Sequence, residues 1–286
     1  MTSIAIMTDT DASLPADLAE KQGIQLIPIS INFGEEVYES GVDMDEPQLF
    51  ARVDRDGKLP TTSAPPTGRF LQAFEEAFDA GAEQVACFCV SSAISGTYNA
   101  ALAARDLIPE QAVEVIDTQN LSMGQGYMVL AASEAAQQGA SMEQVIASAE
   151  DIRGRTHLFA ALSTLKYLAM SGRIGHLAAG MADFLNVKPI LTIRDGTLDM
   201  LERTRTQKKS WARVINLVRE TSSTCAIERM AIVHVNAEDM ARQFEGQLRA
   251  ELPCPDEILF APLTPGLAVH AGAGLVGAAF VLAPDA

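Results

Sequence analysis

VACFCVSSAISGTYNAALAA, residues 85–104, joins an apolar run to an Ala-rich helical pattern through Ser91, Ser92, Ser95 and Thr97. An apolar run of this length, closed by turn-forming residues, reads as a buried strand, and the alanines that follow read as a helix. A strand feeding a helix is the repeating half of a βαβ unit, so this stretch predicts a parallel sheet. Hydroxyls at such a turn suit either of two chemistries: a nucleophile's seat or a cradle for an anion.

The same alternation extends outward. SIAIMT reads as a strand, DTDASLPADLAEKQG as a turn and short helix, and IQLIPISINF as a second strand. A polar, acidic stretch from Gly34 to Lys58 and the loop LPTTSAPPTG then lead into the helix RFLQAFEEAFDAG. Beyond Ala104 come the strand VEVIDT and the helix MGQGYMVLAASEAAQQG. The second half has a different grammar. HLFAALST reads as a strand, TLKYLAMSGRIGHLAAGMADFL as helical pieces broken at Gly172 and Gly175, and KPILTIRDGTLDMLERTRT as a β-hairpin turning at Asp195-Gly196. Helix QKKSWARVINLVRE puts Trp211, Val214, Ile215 and Val218 on one face, and ERMAIVHVN and EILFAPL read as strands around one more helix. The fold class is therefore α/β in two domains. Residues 1–155 form an α/β/α unit with a mainly parallel sheet, and residues 156–286 a second α/β unit with a mixed sheet.

With 286 residues and 48% hydrophobic content, the chain can bury one large core or two modest ones. A net charge of −16 argues against a nucleic-acid surface and against adhesion to anionic lipid headgroups. Cys87, Cys89, Cys225 and Cys254 make neither a zinc spacing nor a disulfide framework, and Cys87 and Cys89 read as small core residues. No signal-peptide pattern precedes Ile4–Thr8, so a cytoplasmic location is expected. The long apolar run Gly266–Leu282 contains His270 and several glycines and lacks a cationic flank; it reads as buried structure, with no stable membrane insertion.

Four chemistries compete. A hydrolase elbow needs Gly-x-Ser-x-Gly, and the residues around Ser95 are Ala93-Ile94-Ser95-Gly96-Thr97, with both outer glycines missing. MTDTDAS, with Asp9 and Asp11 after an apolar strand, resembles the opening motif of haloacid dehalogenase-type phosphatases, in which one Asp attacks phosphorus. The acidic pair that would bind magnesium is not found later in the chain, and a structural reading makes both residues helix caps. His157, His176, His234 and His270 are scattered without ligand spacing, so no metal is expected. The fourth reading is a cradle for a small anion. Thr61, Thr62 and Ser63 precede a stiff Ala64-Pro65-Pro66, Ser95-Gly96-Thr97 sits at a second strand-to-helix turn, and His270 lies among glycines able to pack closely.

Read together, IAIMTDTDASLP, PTTSAPPTGRF, VSSAISGTYNAA, VIDTQNLSMGQG, MSGRIG, VKPILTIRDGTL, RTRTQKKSW and VHAGAGLVG resemble the DegV family from end to end. The resemblance implies a lipid-binding carrier rather than an enzyme, with a long-chain fatty acid in a buried tunnel between the domains and no cofactor. It implies that Thr62 and Ser95 hold the carboxylate with His270 close by. Arg205 is implied to lie near the carboxylate end and to serve acyl-phosphate formation by a separate DAK-like fatty acid kinase subunit, a step toward phospholipid synthesis. Ser63 and Gly96 accompany the two clamp motifs, and Arg173 of SGR is a further docking candidate. The chain departs from the family pattern at Asp11, Ala12, Ser13, Arg69 and Ala93. Arg203, Arg205, Lys208, Lys209 and Arg213 form a cationic island at a helix start, where cations oppose the helix dipole and so are not placed for stability. The chain has no Walker loop or kinase signature, so a second protein would have to bring the nucleotide.

Overall fold

The computed structural model describes residues 3–173 and 187–284. Gly175 and His176, and with them most of the helical pieces expected after Gly172, lie outside the described residues. Strands β1 (Ile4–Asp9), β2 (Ile24–Ile27), β6 (Gln84–Cys89) and β7 (Val113–Asp117) form an all-parallel sheet in the order β2-β1-β6-β7. Strands β3 (Ser30–Phe33), β4 (Glu36–Glu39) and β5 (Thr61–Ser63) make a small antiparallel sheet beside it. Strands β8 (Thr156–Ala161), β9 (Lys188–Arg194), β10 (Thr197–Thr204), β11 (Ile227–His234), β12 (Leu259–Pro262) and β13 (Val276–Leu282) form the mixed sheet, ordered β10-β9-β8-β13-β11-β12. The protein is α/β, with a parallel sheet in its first part and a mixed sheet in its second.

Alternation of side chains sorts each sheet into two faces. In the parallel sheet, Met7, Cys87 and Cys89 pack outward against Phe70 and Phe74 of α3 (Thr67–Asp79) and Ala101 of α4 (Thr97–Arg105). Ile6, Ala86, Phe88 and Val90 face the other way, into the largest core cluster. In the mixed sheet, Leu158, Ala160, Leu191, Val233 and Ala279 join that same cluster. Phe159, Ile190, Ile232 and Phe280 face outward onto Trp211 of α8 (Gln207–Thr221) and Phe244 of α9 (Glu238–Glu251). Between the two sheets runs α5 (Ser122–Gln137), every residue of which is buried from Ser122 to Ser133. A helix this apolar on all sides is what a central layer requires.

The structure corrects the sequence reading at three places. The expected single strand IQLIPISINF is two, because the chain leaves the parallel sheet at Pro28, which has no N–H to give a ladder, and Ile29 N–H donates to Thr10 Oγ1 instead (3.0 Å). The polar stretch after Gly34 holds β4 and α2 (Glu46–Asp56), whose start is closed by a reciprocal Asp45–Gln48 capping box. The loop before α3 contains β5, paired to β3 with Thr62 opposite Ile31. The apolar C-terminal run is α10 (Pro265–Ala271) followed by β13 in the interior of the mixed sheet. No helix among the described residues is long and apolar enough to cross a membrane.

Candidate functional site

A cavity of about 130 Å³, partly open to solvent, lies between the two large sheets. One wall is the inner face of the mixed sheet, contributing Leu158, Ala160, Leu191, Leu198 and Val233. Val90, Ile94 and Leu121, beyond the ends of β6 and β7, line it from the other side. Leu263, Leu267, Ala271 and Leu275, on and around α10, and Leu168 of α7 (Lys166–Ser171) line it further.

Polar groups on this wall are few. They are Asp11, Thr62, Ser63, Ser95, Ser122, Arg173 and His270. Thr62 is held by its β5–β3 pairing, and its Oγ1 lies 2.8 Å from His270 Nε2, across 208 residues of sequence. Burial, aided by the positive charge of Arg173, lowers the His270 pKa from 6.5 to about 4, so the ring is neutral at pH 7. Its Nδ1 is buried without a partner.

The turn carrying Ser95 is tethered at several points. Ser91 Oγ donates to Gly196 O at the tip of the β9–β10 hairpin (2.7 Å), and Ser92 Oγ donates to Asp117 Oδ2 (2.5 Å). The amides of Ile94 and Ser95 both donate to Ser91 O (3.1 Å each). Ser95 Oγ accepts from Thr97 N–H (3.3 Å) and lies 2.8 Å from Thr97 Oγ1. Gly96 is the residue before α4, so the helix opens where Ser95 meets the cavity.

Thr62, Ser63, Ser95, Gly96, Arg173 and His270 thus all line one cavity. Arg205 is exposed, immediately before Thr206 at the start of α8, and does not line it. Two lining residues had a different reading in the sequence. Arg173, considered for docking, puts its charge close enough to act on both Asp11 and His270. Asp11, considered as a cap or a phosphatase acid, faces the cavity instead.

The carboxylate chemistry expected of a phosphatase is not favoured. Asp9 is fully buried, with Oδ1 accepting from Asp11 N–H (2.9 Å) and Oδ2 from Val90 N–H (2.7 Å) and Gln125 Nε2 (3.3 Å). Burial raises its pKa from 3.8 to about 6 against these donors. A carboxylate whose oxygens are committed to Asp11, Val90 and Gln125 has no free face for in-line attack. Burial and the neighbouring Asp9 raise Asp11 well above the usual carboxylate range, with Arg173 opposing them. Among the described residues, no cluster of His, Cys, Asp and Glu is able to hold a metal ion.

Comparison with known proteins places this geometry in a family setting. The model of a family described as "Uncharacterised protein, DegV family" matches residues 3–283. A DegV domain-containing protein of Caldanaerobacter subterraneus subsp. tengcongensis is 32% identical over 280 residues, covering 98% of this chain and 99% of its own. A solved DegV family protein from Thermus thermophilus, described by its fatty acid binding, is 30% identical with a TM-score of 0.91, over 99% of this chain and 100% of that one. DegV of Bacillus subtilis, described as a fatty acid binding protein, is 28% identical with a TM-score of 0.88 over the same shares.

Proposed function

The chain belongs to the DegV family, and on that premise we propose that it binds a long-chain fatty acid in the cavity between its sheets. The observation that carries this reading is an apolar chamber with a Thr62–His270 hydrogen bond and the Ser95 turn on its wall. The fatty acid binding of the Thermus thermophilus and Bacillus subtilis relatives supports it.

The division of labour follows from magnitudes. A long acyl tail of roughly fourteen methylenes, at about 0.8 kcal/mol each, supplies on the order of 10 kcal/mol on burial. A hydroxyl bonded to a carboxylate adds about 1.5–3 kcal/mol. The tail therefore sets affinity and the polar group sets orientation. With neutral His270 donating from Nε2 to Thr62 Oγ1, the Thr62 O–H is left to point at a ligand carboxylate. With Thr97 O–H donating to Ser95 Oγ, the Ser95 O–H is left likewise. Two neutral donors supply direct bonds to the carboxylate, in a cavity that also carries the positive charge of Arg173.

In this reading the protein is a carrier, and a separate kinase phosphorylates the carboxylate it presents. The exposed Arg205, beside Lys208 and Lys209 at the head of α8, is the contact offered to that kinase or to the acyl phosphate. The deciding experiment is native mass spectrometry of freshly purified protein before and after organic extraction. An adduct of fatty-acid mass that extraction removes and added palmitate restores is expected; protein that neither carries nor takes up any fatty acid removes the reading. With a kinase supplied, Arg205→Ala should retain the lipid and lose acyl-phosphate formation, and normal turnover would withdraw that role.

A further inference from the structure

Asp11 and Ser122, both lining the cavity, each carry a buried oxygen with no hydrogen-bond partner, Asp11 Oδ1 and Ser122 Oγ. Asp11 is 7% exposed and Ser122 1%, so bulk water does not satisfy them either. A plain hydrocarbon chain in the cavity would leave both unpartnered, which is the costly way to bury a polar group.

The fold places both near the clamp. Asp11 sits in the short turn after β1, and a Cβ added to Gly266 would lie 2.6 Å from its Oδ1. Gly266 and His270 are one turn apart on α10, a rise of about 6 Å. Ser122 is likewise one turn from Gly126 on α5, where an added Cβ would stand 3.0 Å from Ala12 O in the Asp11 turn. Asp9, next to this turn, cannot serve, because its oxygens are already taken.

We propose that the cavity selects an acyl chain carrying a hydroxyl group close to its carboxyl end, with Asp11 as the residue that recognises that hydroxyl and Ser122 as a second partner. The proposal rests on the fatty-acid reading and narrows its ligand class. A hydroxyl both donates and accepts, and so does an un-ionised carboxyl, the form that burial and the nearby Asp9 favour for Asp11. A site built around such a bond discriminates strongly against the analogue lacking it, because the buried partner is then stranded.

The test uses protein freed of endogenous lipid and three probes: palmitate, β-hydroxypalmitate and ω-hydroxypalmitate, titrated by calorimetry. β-Hydroxypalmitate should bind about tenfold or more tightly than palmitate, with ω-hydroxypalmitate no better than palmitate. Asp11→Leu should abolish that preference while palmitate still binds, and Asp11→Asn, which keeps a donor and an acceptor, should retain most of it. Asp11→Leu removes a stranded buried carboxyl, so its thermal unfolding should not fall below that of the parent protein. Equal affinity for the three acids, a preference that survives Asp11→Leu, or a preference for the ω-hydroxyl overturns the proposal and leaves the fatty-acid reading standing. Failure of all three to bind overturns both.

Discussion

Thr62 and Ser95 are half-buried hydroxyls whose bonds go to His270 and Thr97, so neither anchors the core. Replacing both with alanine should weaken palmitate binding by roughly tenfold or more, at about 1.5–3 kcal/mol for a hydroxyl bonded to a charge, and leave ligand-free unfolding nearly unchanged. Unaltered affinity in a calorimetric titration would count against the clamp. Glu46 poses a different problem. It is buried, accepts from Asn236 N–H, and burial raises its pKa from 4.5 to about 7. A carboxyl whose folded pKa exceeds its unfolded one contributes stability that is complete below pH 4.5 and lost as pH rises through 7. Glu46→Gln should therefore be more stable than the parent at pH 8, by up to about 3 kcal/mol, and show no such gain near pH 4. Unfolding curves at the two pH values check the sign. Such environments have no local signature: nothing in the letters around Asp11 or Glu46 announces a buried acid.

Most elements were legible because their causes are local. The Asp195-Gly196 turn adopts the expected left-handed pair, φ 49° and 74°, joining β9 to β10. Trp211, Val214, Ile215 and Val218 form the buried stripe of α8 as their spacing predicts. Helix α2 was missed because only Glu46, Leu49 and Phe50 of its residues are buried, a face too narrow to stand out in an acidic stretch. The readable signal was its start, Asp45 three residues before Gln48. Gly277 carries the clearest prediction about an element. A Cβ there would fall 2.4 Å from Phe159 O and 2.7 Å from Ala160 Cα, both backbone atoms of the neighbouring strand β8. Gly277→Ala must push two interior strands apart, and should cost about 3 kcal/mol or more. A melting temperature within a degree or so of the parent would show that the sheet yields more easily than this packing implies.

The molecule joins its two large sheets through α5 and leaves an apolar chamber beside it. If that chamber holds a lipid in the folded state alone, removing the lipid must lower apparent stability by mass action, about 2.7 kcal/mol at a hundredfold excess over Kd. Extracted protein should melt at a lower temperature and recover on adding palmitate; identical melting with and without lipid would argue against an interior ligand. The alternation of strands and helices, the hairpin and the apolar faces were settled along the chain, because periodicity and turn chemistry act over a few neighbouring residues. The hydroxyl and glycine motifs also pointed to an anion cradle, and the DegV resemblance implied Thr62, Ser95 and His270 as its residues. What no local pattern could supply was the meeting of Thr62 with His270 across 208 residues, the turning of Asp11 and Arg173 toward that same chamber, and the exclusion of Arg205 from it. Those outcomes depend on how two sheets pack against one buried helix, and such packing joins residues by proximity in space rather than by order in the chain.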